Sequence, residues 1–196
     1  MKYSSDIVVL DLEATCPYQN NNEIEMSQII DIGAVRLDRH TLREVDSFSE
    51  LVNPGEIKLP EFITELTSIS NEMLQHKETF DVIGQKFIEW VGPRNRFMLA
   101  VFGAYYDIPL LRKEYRDNGF EYKKYFVGGA LDIRALGLAW LAERGKNTSG
   151  ITVEKVLEQM EVEGEGPFHR ALNDARAEAA IMQVFHFGKT VPRAPH

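Results

Sequence analysis

Several features that mark secreted, membrane-bound or multidomain proteins are missing from this sequence. It has a single cysteine, Cys16, which excludes an intramolecular disulfide and favours a reducing compartment. Its uncharged apolar runs are far shorter than the roughly 18–20 residues that span a bilayer, and residues 1–6 lack the apolar core of a signal peptide. No repeat and no linker rich in proline, glycine or serine divides the chain. We therefore expect one domain, 1–196, in the cytoplasm and without membrane contact.

Positive charge is also scarce, because 22 lysines and arginines stand against 30 acidic residues and give a net charge of −8. Proteins that grip a long nucleic-acid duplex usually carry a basic face, so this charge argues against tight nonspecific duplex binding. It does not argue against action at the end of a nucleic-acid strand. Acidic residues that bind divalent cations are neutralised by these cations, which in turn attract phosphate.

The hydrophobic pattern predicts strands first and mostly helices later. Apolar runs predict strands at 7–10, 29–37, 47–52 and 97–102. Helical spacing predicts helices at 79–91, 105–118, 131–143, 152–160 and 171–187, with Thr79 as an N-cap. A polar loop is expected at 17–22 and a turn at 53–55. This order indicates an α/β sandwich of mixed strand direction and leaves several topologies open.

Two acidic residues, Asp11 and Glu13, directly follow the first apolar run. Residues two apart on a strand point to the same face, so both carboxylates can chelate one ion. A buried pair of carboxylates repels itself and therefore favours a bound cation. The alternative is that both residues lie beyond the strand end in solvent, and the pair alone leaves the two interpretations about equal.

A third acidic residue, Asp107, is predicted at the start of the 105–118 helix, just after the 97–102 strand. Ligands of α/β sheets collect outside the carboxyl ends of strands, which favours a functional interpretation. An acidic residue that complements the helix dipole in the first turn is the alternative, and for Asp107 alone it is the stronger one.

The final candidates, His169 and Asp174, flank the start of the 171–187 helix. On one continuous helix, five residues would separate them by about 140°. Gly164, Gly166 and Pro167 predict a loop instead, so His169 is expected in the loop and Asp174 in the first turns, both facing one pocket. A surface histidine near a helix N-terminus is the alternative. The rest of the helix, 175–187, is predicted to serve core packing only.

Taken together, these segments resemble the DEDDh family of 3′-to-5′ exonucleases, which is named for four carboxylates and a histidine. The resemblance runs from about residue 6 to residue 187. Segments 11–16 and 64–69 and the helix with Trp90 look most similar to the ERI-type group that trims histone messenger and small RNAs. Segment 102–107, Phe-Gly-Ala-Tyr-Tyr-Asp, departs from the Trp-Gly-x-x-Asp of that group. The resemblance implies a ribonuclease H-like fold, a mixed β-sheet flanked by α-helices.

The resemblance also implies the chemistry of the site. Two Mg²⁺ or Mn²⁺ ions would be bound by four carboxylates, those of Asp11, Glu13, Asp107 and Asp174. Asp11 would bridge the ions, which activate a water molecule and stabilise the leaving 3′ oxygen. His169 would accept the proton of that water. The strand that carries Asp11 would contact the terminal base and sugar through Leu12, Ala14 and Thr15.

Three functions follow from this resemblance. The first is a stand-alone exonuclease that releases nucleoside monophosphates from single-stranded 3′ ends, with RNA slightly favoured over DNA. The second is a proofreading subunit that acts on DNA and would be recognised by its binding to a polymerase. The third is a nuclease-like adaptor that binds a regulatory protein and does not cut, which the complete set of five residues disfavours. The oligomeric state stays open.

Overall fold

The computed structural model of the chain describes residues 3–16, 24–126, 129–164 and 166–191, so the loop expected at 17–22 lies outside the described residues. One sheet contains the strands β1 (Asp6–Ala14), β2 (Ile29–Leu37), β3 (Glu44–Leu51), β4 (Phe97–Val101) and β5 (Leu131–Asp132). The helices are α1 (Glu61–Thr67), α2 (Asn71–Leu74), α3 (Phe80–Val91), α4 (Asp107–Asp117), α5 (Tyr122–Tyr125), α6 (Ile133–Glu143), α7 (Val153–Met160) and α8 (Ala171–Phe187).

The strands lie in the order β3-β2-β1-β4-β5. β1, β2 and β3 form an antiparallel meander, whereas β4 runs parallel to β1 and β5 runs parallel to β4. The sheet is therefore mixed, as expected. Because β1 and β4 are parallel neighbours, their carboxyl ends meet at the same edge of the sheet. A group at the end of either strand can share one site there.

The central strand β1 is buried on both faces. Val8 and Leu10 belong to an apolar core with residues of α3 and α4. Ile7 and Val9 belong to a second core with residues of α6, α7 and α8. Each such side chain contributes roughly 1.5–3 kcal/mol of burial free energy. Side chains alternate along a strand, so the positions that follow Val9 on its face, 11 and 13, point toward α8.

Helix α8 lies close against β2. A Cβ atom at Gly33 would be 2.0 Å from the carbonyl carbon of Ala171 and 2.0 Å from the backbone nitrogen of Leu172. No side chain fits between the two backbones, so glycine at this position lets the first turn of α8 rest directly on the sheet. This contact fixes the beginning of α8, which carries the predicted site residues.

The structure corrects some of the predicted boundaries. β1 does not end at residue 10 but continues to Ala14, because β2 pairs with it as far as Ala14↔Ile29. β3 begins at Glu44 and ends at Leu51, earlier than the predicted 47–52. The short helices α1, α2 and α5 and the two-residue strand β5 were not predicted. Elements of two to seven residues are too short to show a hydrophobic periodicity in the sequence. Thr79 directly precedes α3, as expected for an N-cap, but its hydroxyl bonds to Asp81 and not to the helix backbone.

Candidate active site

The residues predicted to carry chemistry meet around one open cavity of about 300 Å³, at the carboxyl ends of β1 and β4. It is lined by Asp11, Leu12, Glu13, Phe102, Gly103, Tyr105, Tyr106, Asp107, Val153, Glu154, Phe168, His169 and Asp174. All four predicted carboxylates and the predicted histidine are among these residues. Sequence positions separated by up to 163 residues therefore line one concave surface.

Asp11 and Glu13 lie on β1 itself, on the face that turns toward α8. The alternative of two solvent-exposed acidic residues beyond a strand end is therefore wrong, because the strand is longer than its apolar run. Glu13 lies opposite Asp31 of β2. This pairing places a further carboxylate directly beside the site.

Asp107 is the first residue of α4 and is 8% exposed. The backbone N–H groups of Asp107 and Leu12 stabilise its ionised form. The carboxylate is thus oriented by the strand that carries Asp11, in addition to any interaction with the helix dipole. The predicted position at the strand-to-helix turn is confirmed.

His169 precedes α8 in the loop, and Asp174 lies in the first turn of that helix. The backbone N–H of His169 donates a hydrogen bond of 2.7 Å to Oδ2 of Asp174. His169 has a left-handed backbone with φ of 62°, an uncommon conformation for a residue with a side chain. The ligand atoms of Glu13, His169 and Asp174 lie within 4.8 Å of one another. The loop and helix thus present both side chains to the same pocket.

An ion pair holds the His169 loop against the sheet. Arg170 donates from Nε to Oδ2 of Asp31 at 3.0 Å, and the backbone N–H of Ala171 donates to the same oxygen at 3.3 Å. Asp31 is 1% exposed, and its Oδ1 has no hydrogen-bond partner among the described residues. Asp31 thus holds Arg170 and Ala171, the residues on either side of the start of α8. This ion pair was not predicted, although an aspartate inside the apolar run 29–37 was a visible signal.

Burial dominates the electrostatics of the site. Desolvation raises the pKa of Glu13 from 4.5 to about 8, helped by the negative charge of Asp174. It raises the pKa of Asp107 to about 7 and that of Asp174 to about 6. The pKa of Asp11 also lies well above its ordinary value, because of burial and the nearby charge of Glu178. The site therefore favours whatever neutralises it, either protons or cations.

The donor set fits divalent metal ions of the magnesium type. The site offers carboxylate oxygens, which are hard ligands that suit Mg²⁺ and Mn²⁺, and no thiol among its lining residues. No lysine or arginine among the described residues forms an ion pair with Asp11, Glu13, Asp107 or Asp174. Clustered carboxylates that form no ion pair of their own are the arrangement that such ions complete.

The three predicted substrate contacts differ in position. All three are buried, at 6%, 4% and 1% exposure for Leu12, Ala14 and Thr15, but of the three Leu12 alone lines the cavity. The Thr15 hydroxyl accepts a hydrogen bond of 3.0 Å from the backbone N–H of Gln28. Contact of Leu12, Ala14 and Thr15 with substrate stays a prediction. Tyr105, which was not predicted, lies at the rim of the cavity with 74% of its surface exposed.

The model of a known protein family, described as Exonuclease, matches residues 8–182. The chain belongs to this exonuclease family. The predicted resemblance and the expectation of an exonuclease enzyme are thereby confirmed.

Curated relatives of this exonuclease come from several kinds of protein. The chain is 32% identical to the PolC-type DNA polymerase III of Clostridium perfringens and 32% identical to DNA polymerase III subunit epsilon of Aquifex aeolicus. It is 26% identical to 3′-5′ exoribonuclease 1 of Homo sapiens. These alignments cover 95%, 89% and 91% of this chain and 12%, 77% and 52% of the respective relatives. The chain thus spans only a part of each relative.

Solved structures show the same fold. The nuclease domain of 3′hExo, a DEDDh family member bound to rAMP, matches with a TM-score of 0.78 at 24% identity. The match covers 95% of this chain and 94% of that domain. The expected ribonuclease H-like fold, a mixed sheet flanked by helices, is therefore confirmed. No helix in the described part of this exonuclease is both long and apolar enough to cross a membrane.

Proposed function

We propose that the chain is a metal-dependent 3′-to-5′ exonuclease that releases nucleoside monophosphates from single-stranded 3′ ends, with RNA slightly favoured over DNA. The observation that carries this proposal is the meeting of four buried or half-buried carboxylates and His169 around one open cavity. A site with this composition suits hydrolysis of a phosphodiester bond assisted by two divalent ions. The free thiol of Cys16 suits the reducing cytoplasm, where we place the protein.

Each residue has a role in this proposal. Asp11, Glu13, Asp107 and Asp174 would hold two Mg²⁺ or Mn²⁺ ions. When bound, such ions lower the pKa of a water molecule and stabilise the leaving oxygen. His169 would take up the proton of the attacking water, since an imidazole can change its charge near neutral pH. Its backbone bond to Asp174 and the neighbouring Arg170–Asp31 ion pair would keep the ring at the cavity.

The lining of the cavity supports the end of a nucleic-acid strand as the substrate. This lining combines carboxylates, which through bound cations would attract phosphate, with the apolar side chains of Leu12 and Phe102 and the exposed ring of Tyr105. Nucleobases stack on such rings in proteins that bind single strands. The net charge of −8 offers little attraction to a long duplex. A terminal nucleotide fits these properties better than the interior of a helix.

The experiment that tests the proposal is a digestion panel. Single-stranded RNA, single-stranded DNA and the matching duplexes are labelled at the 5′ or the 3′ end and incubated with Mg²⁺, Mn²⁺ or excess EDTA. We expect early release of a labelled mononucleotide from 3′-labelled single strands and a ladder from 5′-labelled ones. RNA is expected to be digested somewhat faster than DNA, and chelation is expected to abolish both.

A pair of variants makes the panel specific to the site. Glu13→Gln removes one carboxylate from the cavity, whereas Glu65→Gln makes the same exchange at an exposed position of α1. The first variant is expected to lose hydrolysis and the second to keep it. Full activity in excess EDTA, or equal activity of the two variants, would refute the proposed mechanism.

A second candidate function is a proofreading subunit that acts on DNA. The observation in its favour is that the two polymerase relatives are 32% identical to this chain, against 26% for the exoribonuclease. The digestion panel separates the two functions, because a proofreading enzyme is expected to prefer a frayed or mismatched DNA 3′ end over RNA. Co-purification with a polymerase would support it further.

A further inference from the structure

A further acidic residue, Glu178, lies beside the four carboxylates of the site. It follows Asp174 by four residues on α8, so both side chains project from the same face of the helix. Glu178 falls within residues 175–187, which were predicted to serve core packing only, yet it is an acidic residue. The signal was present in the sequence as a second acidic residue one turn after Asp174.

Glu178 is buried and only partly satisfied. It is 2% exposed, and its Oε2 has no hydrogen-bond partner among the described residues. The backbone N–H of Phe102 stabilises its ionised form. No ion pair in the described part of the chain reaches Glu178. An acidic side chain in such surroundings is costly unless something compensates its charge.

The surroundings of Glu178 are the predicted metal ligands themselves. Among the charged neighbours of Asp11, Glu178 raises the pKa of that residue most. Asp107 and Asp174 are in turn the charged neighbours that most raise the pKa of Glu178. The unsatisfied carboxylate of Glu178 is therefore buried on the same face of α8 as Asp174, and it does not itself line the cavity.

We propose that Glu178 is a further residue of the divalent-cation site and adds an anionic oxygen next to Asp11 that strengthens cation binding. This inference rests on the proposed metal-dependent function. It differs from a packing role in one respect. To pack in the core and accept the hydrogen bond from the Phe102 N–H, position 178 needs only the shape of the side chain and an acceptor oxygen. Glutamine supplies both. Cation binding needs the charge.

The test is a titration of the metal-free full chain with Mn²⁺, followed by calorimetry and by the electron paramagnetic resonance of free Mn²⁺. Glu178→Gln removes the charge and keeps the shape, and Glu65→Gln on α1 is the control for loss of one carboxylate. Loss of a group that supports metal ligands costs roughly 10–100-fold in metal affinity. We expect a loss of that size in Glu178→Gln and wild-type affinity in the control. Circular dichroism and the melting temperature without metal verify that each variant folds.

The outcomes separate this inference from the proposed function. If the wild-type chain binds no Mn²⁺, the proposed function fails. If the wild type binds Mn²⁺ and folded Glu178→Gln binds it equally well, only the role of Glu178 is overturned. If Glu178→Gln does not fold, Glu178→Asp replaces it. This variant keeps the charge but shortens the side chain, so it is expected to bind Mn²⁺ more weakly, and unchanged affinity in it would overturn the inference.

Discussion

The substitution Asp174→Asn is expected to stabilise the metal-free protein in a pH-dependent way. Burial raises the pKa of Asp174 from 3.8 to about 6. The folded protein therefore binds this proton more tightly than the unfolded chain does, and ionisation of Asp174 costs stability. The cost is absent well below pH 3.8, about a fifth of its full size at pH 4, and complete well above pH 6. Asparagine cannot ionise, yet it keeps an oxygen that can accept the 2.7 Å hydrogen bond from the His169 N–H.

The size of the effect follows from the pKa. Moving a pKa from 3.8 to about 6 corresponds to about 3 kcal/mol of stability. Asp174 is 8% exposed, so solvent screens this cost only weakly. In a chain of this length, 1 kcal/mol changes Tm by about 2–4 °C. About 2.4 kcal/mol of this cost develops between pH 4 and pH 8, so the Tm difference between Asp174→Asn and the wild type is expected to be roughly 5–10 °C larger at pH 8 than at pH 4.

The assay is thermal unfolding followed by circular dichroism in EDTA at pH 4, 6 and 8. Asp38→Asn is the matched control, because hydrogen bonds from Thr41 lower the pKa of Asp38. Its contribution to stability is present above the ordinary pKa and is lost as the pH falls, so Asp38→Asn is expected to lower Tm at pH 8. In saturating Mn²⁺, Asp174→Asn is expected to have a lower Tm than the wild type. A Tm difference for Asp174→Asn that stays constant with pH contradicts the reasoning.

Three further substitutions address the roles of single residues. Asp11→Ala is expected to abolish hydrolysis while circular dichroism shows an intact fold, and near-normal turnover would contradict its role as a metal ligand. His169→Ala is expected to lower turnover by roughly 10²–10⁴-fold with little change in Mn²⁺ affinity; a loss of metal binding would make His169 a ligand instead. Tyr105→Ala is expected to weaken binding of single-stranded oligonucleotides by about 1–3 kcal/mol in fluorescence anisotropy, whereas Tyr105→Phe keeps the ring and the affinity. Equal affinity of these two variants would exclude stacking on Tyr105.

The sequence predicted those parts of the fold that depend on local patterns. Residues 29–37 and 97–102 are apolar enough to predict β2 and the whole of β4, and the last helix was predicted with the bounds that the structure shows, Ala171–Phe187. The end of β1 was not predictable in the same way. Asp11 and Glu13 interrupt the apolar run, and only pairing with β2 keeps the chain extended to Ala14.

The centre of the site was predictable, but its surroundings were not. Asp11, Glu13, Asp107, His169 and Asp174 stand in recognisable local settings. The positions of Asp31 and Glu178 beside the site, in contrast, depend on tertiary structure. Asp31 reaches the site because the strand register sets it opposite Glu13 and because Gly33 lets α8 approach the sheet. Glu178 reaches it because α8 lies across β1, which no local pattern shows.

In the proposed cation site, the architecture links metal affinity to instability of the metal-free chain. On β1, the face that carries Ile7 and Val9 into the core continues with Asp11 and Glu13, so these carboxylates project from a rigid strand. Asp174 and Glu178 project from a helix that packs on the same sheet. Repulsion held in this way cannot relax by movement of a loop, and only a proton or a cation relieves it. Variants that stabilise the metal-free chain by removing one of these charges should therefore bind Mn²⁺ more weakly. A variant that lost one of these charges and became both more stable without metal and tighter in Mn²⁺ binding would show that the repulsion arises elsewhere.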